Sequence, residues 1–184
     1  QEQLVQRLVR FGLGRRRRPL VVTADRGRGK SAAMGMAAAE LLRQGRQDIV
    51  VTAPSEQNVE TLFRHACETL GDQLAEASPG ILSSRAGGRL RFMPVRELLT
   101  LRPEAEVVLV DEAAAIPAPL LKSVLLGWPR VAFATTVHGY EGAGRGFAIR
   151  FRQVLDQSTP QWQSVTLSEP VRWTLNDPLE ALIT

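Results

Sequence analysis

The sequence has 184 residues, of which 44% are hydrophobic and 23% charged, with a net charge of +4. This composition suits one globular domain cut from a longer multidomain protein, since no apolar run reaches the roughly 18 residues of a membrane-spanning helix. The polar N-terminus carries no secretory signal, and the single cysteine, Cys67, excludes an internal disulfide and a thiolate zinc site, so we expect a cytoplasmic location.

The first eleven residues predict a helix, because Leu4, Leu8 and Phe11 fall on one helical face and Gly12 follows as a stop. We assign residues 1–18 to this helix and a basic linker, and residues 19–170 to the core of the domain.

Four consecutive arginines at 15–18 end the linker. A charge run is usually a solvated loop, and we prefer that interpretation. The alternative is a nucleic-acid contact, because arginine binds phosphate in bidentate fashion. The whole chain shares the bias, since Lys30 and Lys122 are its only lysines. This fits an RNA or DNA partner and a GC-rich genome equally well.

From Pro19 onward, short apolar runs alternate with helical patterns. The predicted strands are 20–24, 48–53, 90–93, 107–110, 131–135 and 164–167. The predicted helices are 31–42, 55–70, 95–101, 117–126 and 146–156. Residues 71–88 carry no clear pattern. Continuously apolar strands alternating with helices are typical of a parallel sheet covered on both faces. Ligands of such sheets bind at the carboxyl ends of the strands, where the loops 24–30, 111–116 and 135–146 should converge.

A glycine-rich segment, Ala-Asp-Arg-Gly-Arg-Gly-Lys-Ser at 24–31, lies between a predicted strand and a predicted helix, as a phosphate-binding loop requires. Gly27 and Gly29 would let backbone N–H groups turn toward a β-phosphate. Lys30 would reach the β- and γ-phosphates, and the Ser31 hydroxyl would bind Mg²⁺. Ala24 replaces the first glycine of the usual pattern, and a coincidental glycine-rich turn is the alternative. The candidate nucleotide-binding residues are Asp25, Arg26, Gly27, Arg28, Gly29, Lys30, Ser31 and Ala32.

Two acids, Asp111 and Glu112, follow the apolar run at 107–110, which is the Walker B arrangement. Asp111 would hold the Mg²⁺ shell opposite Ser31. Glu112 would polarise the attacking water as a general base, so Glu112 and Lys30 are the candidate catalytic residues. The alternative for Glu112 is a carboxylate that caps the next helix.

Two threonines and one arginine complete the candidates. Thr135 and Thr136 end a predicted strand, where a polar side chain would sense the γ-phosphate; ordinary strand threonines are the alternative. Arg145 lies in the glycine-rich stretch 139–146, which indicates either a close approach to phosphate or a flexible turn. His138, just beyond the strand, is read as an ordinary loop residue.

Together these motifs predict an α/β P-loop NTPase with a RecA-like, mostly parallel sheet and helices on both faces. ATP or GTP with Mg²⁺ would be its ligands. Two other functions stay open: a DNA helicase or recombinase-type ATPase, and a switch that binds nucleotide without turning it over.

Four strings, RGRGKSAAMG, VDEAAAIP, TTVHGYEGAGRGF and LSEPVRW, resemble the helicase-like ATPase module of the tRNA(Met) cytidine acetyltransferases. The resemblance covers residues 18–179. It implies N4-acetylation of the wobble cytidine of elongator methionine tRNA, with acetyl-CoA as donor and ATP or GTP hydrolysis assisting.

The resemblance also implies roles for single residues and for neighbouring domains. It gives Gly27, Gly29, Lys30 and Ser31 to phosphate and Mg²⁺, Asp111 to the metal, Glu112 to water and Arg145 to the nucleotide. Acetyl-CoA would bind a separate GNAT domain, and tRNA would bind through the full-length protein with its RNA-binding tail. No second RecA-like lobe is visible in this sequence, so classical strand unwinding is not expected of this chain alone.

Overall fold

A computed structural model describes residues 1–25, 27–136 and 142–167, with the backbone alone for residues 27, 28, 142–145 and 147. The helices are α1 (Glu2–Leu13), α2 (Gly27–Arg43), α3 (Glu60–Leu70), α4 (Val95–Leu101), α5 (Ala118–Gly127) and α6 (Gly142–Ser158). The strands are β1 (Leu20–Ala24), β2 (Asp48–Thr52), β3 (Leu74–Ser78), β4 (Ile81–Ser84), β5 (Arg89–Phe92), β6 (Val107–Val110), β7 (Val131–Thr136) and β8 (Gln163–Leu167).

One eight-stranded sheet runs in the order β3-β4-β5-β2-β6-β7-β1-β8. Six neighbouring strands from β5 to β8 pair in parallel, while β3 and β4 add an antiparallel hairpin at one edge. The predicted α/β, mostly parallel architecture is therefore confirmed.

Apolar side chains fill both faces of the sheet, as a parallel sheet requires. On one face, Leu8 of α1, Met34 of α2 and Leu62 of α3 pack over the strands. On the other face, Leu121 of α5 and Phe151 of α6 do the same. β6 is buried at all four positions, because it lies in the middle of the sheet. The carboxyl ends of the central strands are thereby held in a rigid frame.

Helix α2 packs closely against both of its neighbours because small residues line it. A Cβ atom added at Gly35 would lie 2.2 Å from the backbone carbonyl oxygen of Leu62 in α3. A Cβ added at Gly12 of α1 would lie 2.5 Å from a methyl group of Leu41. Glycine at these positions lets the three helices form one layer over the phosphate-loop strand.

Three elements differ from the sequence prediction. α2 begins at Gly27, four residues before the predicted start, so the second half of the glycine-rich segment belongs to its first turn. The unassigned stretch 71–88 forms β3 and β4; most of β3 is exposed, so it carries no apolar signal. Ser55 caps a separate 3-10 turn through Asn58, and α3 starts only at Glu60.

Among the described residues, no helix combines the length and the apolar character that crossing a bilayer requires.

Candidate nucleotide-binding site

The candidate site lies at the carboxyl edge of the sheet, where three adjacent strands end. β7 pairs with β1 on one side and with β6 on the other. β1 leads toward α2 with Lys30 and Ser31, and β6 leads directly to Asp111 and Glu112. This order brings together side chains that lie about 80 residues apart in the sequence.

The Lys30 ammonium lies between the two acids. Its Nζ donates to Asp111 Oδ1 at 2.6 Å and to Glu112 Oε2 at 2.8 Å. The Lys30 and Asp111 side chains are buried, whereas the Glu112 side chain is 31% exposed. Buried charges of this kind are tolerated only when they are paired and hydrogen-bonded.

Each oxygen of the Asp111 carboxylate has a partner. Oδ1 also accepts the backbone N–H of Glu112 at 2.8 Å, and Oδ2 accepts the Ser31 hydroxyl at 2.9 Å. The Asp111 backbone N–H donates to the carbonyl of Thr52 at the end of β2. The carboxylate is therefore fixed in position by α2, β2 and its own turn.

The Ser31 hydroxyl and the Asp111 carboxylate are a donor set that fits Mg²⁺. Mg²⁺ prefers oxygen ligands and is usually held by one or two protein groups together with substrate phosphates and water. Within the described part of the chain, no group of three or more His, Cys, Asp or Glu side chains could hold a metal by itself. A metal at this position would therefore depend on the phosphates of a bound nucleotide.

Glu112 has a left-handed backbone, with φ 51° and ψ 48°. Few residues other than glycine adopt this conformation, and such strain concentrates at functional sites. The turn is held by the bond from its N–H to Asp111 and by the bond from the N–H of Ala115 to its carbonyl. The strained turn directs the carboxylate toward Lys30.

The two candidate sensor threonines lie on opposite faces of β7. Thr136 Oγ1 donates to Glu112 Oε2 at 3.4 Å and so belongs to the cluster around Lys30. Thr135 is on the same face as Phe133, since side chains alternate along a strand. Its buried Oγ1 has no hydrogen-bond partner within the described residues. It borders a cavity of about 280 Å³ beneath α6 together with Thr23 of β1.

The rest of the candidate phosphate loop is described in part. Asp25 is exposed at a bend before α2, and Ala32 is buried within α2. A Cβ at Gly29 would lie 3.1 Å from the side chain of Leu167. Arg26, His138 and the side chains of Arg28 and Arg145 lie outside the described residues, although the backbone of Arg145 belongs to α6.

Two residues near the site carried no signal in the sequence. Gln1 Nε2 donates to the Gly29 carbonyl at 3.2 Å, which places the start of α1 beside the phosphate loop. Thr52 ends β2 next to β6, and its buried Oγ1 has no partner within the described residues. Its place at a strand end was the one available pointer to this edge.

Comparison with known proteins identifies a family. The family model described as RNA cytidine acetyltransferase NAT10/TcmA, helicase domain, matches residues 21–184. The tRNA(Met) cytidine acetyltransferase TmcA of Nitrosococcus halophilus is 48% identical over 183 residues, covering 100% of this chain and 24% of that protein. The TmcA of Vibrio cholerae is 46% identical, covering 98% and 25%. The chain thus spans about a quarter of the length of these curated relatives.

Solved structures support the fold. The large terminase of a thermophilic bacteriophage aligns with a TM-score of 0.64 at 11% identity, covering 98% of this chain and 49% of that chain. The ATPase domain of a Thermus phage large terminase aligns with a TM-score of 0.54 at 20% identity, covering 82% and 75%. At these identities the likeness concerns the fold, which is that of a P-loop ATPase.

The match over residues 21–184 and the relatives at 45–48% identity confirm the resemblance carried by the four sequence strings. The chain belongs to the family of RNA cytidine acetyltransferase NAT10/TcmA helicase domains.

Proposed function

We propose that this chain binds and hydrolyses ATP or GTP as the helicase-like module of a tRNA(Met) cytidine acetyltransferase. One observation carries the proposal: Lys30, Ser31, Asp111 and Glu112 are joined by direct hydrogen bonds at the carboxyl edge of the sheet. These are the cation, hydroxyl and acid pair that phosphoryl transfer from a nucleotide to water requires.

Each side chain has a role that follows from its position. Lys30 binds the β- and γ-phosphates, and Ser31 with Asp111 holds Mg²⁺, which neutralises charge on the phosphates when it is bound. Glu112, partly exposed beside them, accepts the proton of the attacking water. Thr136 donates to Glu112 and orients its carboxylate. The first-turn N–H groups of α2, including those of Gly27 and Gly29, face the phosphates as free donors.

A bound triphosphate competes with both acids for Lys30. Because the ammonium is buried between them, the first turn of α2 must shift before phosphate reaches it. The exchange frees the Asp111 carboxylate for the metal and the Glu112 carboxylate for water. Nucleotide binding therefore assembles the hydrolytic arrangement from an inactive ion-pair network.

The work done by hydrolysis lies largely outside this chain. We propose that it positions the wobble region of a methionine tRNA for acetylation by a GNAT domain, where acetyl-CoA binds. The TmcA relatives are about four times as long as this chain, which leaves room for such domains. In this arrangement the protein acts in the cytoplasm on tRNA.

The test is steady-state hydrolysis by the full-length protein and its Lys30→Ala and Glu112→Gln variants, with Glu68→Gln as an exposed acid control. We expect both site variants to lose hydrolysis and the control to keep it. Turnover equal to wild type in both site variants would refute the proposal. Stimulation by tRNA rather than by single-stranded DNA is expected, and the reverse would favour a DNA helicase-type ATPase.

A further inference from the structure

Four arginines, Arg7, Arg10, Arg15 and Arg18, line a cleft of about 250 Å³ at the amino edge of the sheet, opposite the nucleotide site. We call it the arginine cleft. Arg7 and Arg10 come from one face of α1, since residues three apart are neighbours on a helix. Arg15 and Arg18 come from the loop that joins α1 to β1. The cleft therefore gathers positive charge from two elements onto one surface.

No carboxylate compensates this charge within the described residues. The Arg10 and Arg15 side chains make no hydrogen bond or ion pair there. Arg7 donates to the amide oxygen of Gln163 at 3.1 Å, and Arg18 donates to that of Gln161 at 3.0 Å. Amide oxygens orient a guanidinium without neutralising it. The cleft thus keeps its full charge while two of its arginines are held in place.

The loop that carries the arginines is fixed to the body of the domain. Arg17 adopts a left-handed φ of 65°, and its N–H donates to the Pro129 carbonyl at 2.9 Å. Its guanidinium donates to the Leu126 carbonyl at 3.2 Å. A strained backbone persists only where its surroundings hold it. The four consecutive arginines are therefore a shaped surface rather than a loosely solvated loop.

The positive field also reaches the residues behind the cleft. Burial, followed by the charges of Arg46 and Arg16, lowers the pKa of the Arg130 guanidinium below its ordinary value. Glu106 is the acid at this place, and Arg46 already pairs with it at 3.4 Å. An anion that binds the cleft would gain from all of these charges.

We propose that the arginine cleft binds the phosphate backbone of the RNA on which the full-length protein acts. The proposal rests on the proposed function, which supplies RNA as the substrate. Guanidinium groups bind phosphate oxygens in bidentate pairs, and the cleft has room for phosphates. An acidic protein surface is the competing partner, but the centre of a protein interface is usually depleted of charge.

Helix α1 connects the cleft with the nucleotide site. It is about 18 Å long by its twelve residues. Gln1 at its start contacts Gly29, while Arg10 in its last turn lines the cleft. RNA in the cleft would therefore not touch the nucleotide. Leu4 and Leu8 bury the helix against the core, so that it can transmit a displacement along its axis.

The experiment measures binding of a tRNA transcript by the full-length protein over a range of salt concentrations. The test variant combines Arg10→Gln and Arg15→Gln. The control combines Arg64→Gln and Arg96→Gln, two exposed arginines with no partner within the described residues, and removes the same charge. A third variant with Arg10→Lys and Arg15→Lys keeps the charge. Thermal unfolding checks that all variants fold.

We expect the glutamine test variant to bind tRNA about tenfold more weakly than the control at 0.1 M salt. Its slope of log affinity against log salt should fall by about 1.5 to 2, because two phosphate contacts are lost. The lysine variant should keep the slope. Equal RNA affinity and equal slope in test and control variants would overturn the proposal, including when only contact with a neighbouring domain is weakened. Nucleotide hydrolysis by the wild-type protein, measured alongside, separates this failure from failure of the proposed function.

Discussion

Lys30 donates a 2.6 Å hydrogen bond to Asp111, although 81 residues separate the two in the sequence. Both side chains are fully buried, and the same ammonium also holds Glu112. The ion pair fixes α2 onto the end of β6, so the residues proposed for phosphate and metal also hold the fold together at this edge. Substitutions here should change stability and chemistry in separable ways.

The first prediction concerns stability without nucleotide. Lys30→Met leaves Asp111 buried beside Glu112 without a countercharge, and we expect the free energy of unfolding to fall by about 2 to 4 kcal/mol. Urea unfolding measures it. Lys122→Met, the same change at the other and exposed lysine, should leave the unfolding midpoint unchanged. A Lys30→Met protein as stable as wild type would show that the ion pair does not support the fold.

The second prediction separates binding from hydrolysis. Glu112→Gln keeps a side chain of the same shape beside Lys30 but removes the proton acceptor. We expect hydrolysis to fall by roughly 10²- to 10⁴-fold while nucleotide affinity changes little. A fluorescent nucleotide titration and a phosphate-release assay measure the two. Hydrolysis within twofold of wild type would exclude Glu112 as the general base.

The third prediction compares the two threonines of β7. Thr136→Val removes the hydroxyl that donates to Glu112, so we expect slower hydrolysis. Thr135→Val replaces a buried hydroxyl that has no partner within the described residues, and should raise the free energy of unfolding or leave it unchanged, with hydrolysis kept. Turnover numbers and unfolding midpoints of the pair test this. Loss of turnover in the Thr135 variant alone would reverse the assignment.

The fourth prediction concerns helix packing. Gly35→Ala places a methyl group 2.2 Å from the Leu62 carbonyl, so α2 and α3 must separate. We expect a loss of about 1 to 3 kcal/mol in the free energy of unfolding. Gly127→Ala is the matched control, because its methyl group would meet only the movable end of Arg102. Equal unfolding midpoints for both variants would contradict the close α2–α3 contact.

The fifth prediction is a pH dependence at Glu106. Burial raises the pKa of its carboxyl, but the N–H groups of Gln47 and Asp48 and the charge of Arg46 outweigh this and lower it overall. A folded pKa below the unfolded value of about 4.3 gives stability that is present above that pH and lost as the pH falls through the folded pKa. Wild type should therefore exceed Glu106→Gln in unfolding midpoint near neutral pH, and the gap should close in acid. A gap independent of pH would contradict the assignment.

The central strands and the acid pair could be predicted because their signals are local. Val107–Val110 is continuously apolar and Asp111 follows it directly, so burial and chemistry are both written in consecutive residues. The β3–β4 hairpin was missed because its exposed residues lack apolar periodicity, and its turns depend on Gly80 and Gly87 with positive φ. The early start of α2 was missed because glycines are poor helix formers.

The pairings within the site depend on tertiary structure. Nothing in a run of two threonines says that Thr136 meets Glu112 while Thr135 faces the other way, since the phase of β7 decides it. The contact of Gln1 with Gly29 joins residues 28 apart through the packing of α1. The ion pairs of Lys30 could be expected only as a common location, not as bonds.

The left-handed turn at Glu112 has a consequence for the course of the reaction. Its backbone strain, about 1 to 3 kcal/mol for such a conformation, is met by folding before any nucleotide arrives. The carboxylate is thus preorganised, and aligning it consumes none of the binding energy of the nucleotide. Relaxing the turn, for instance with glycine at 113, should leave affinity intact and cost catalytic precision alone.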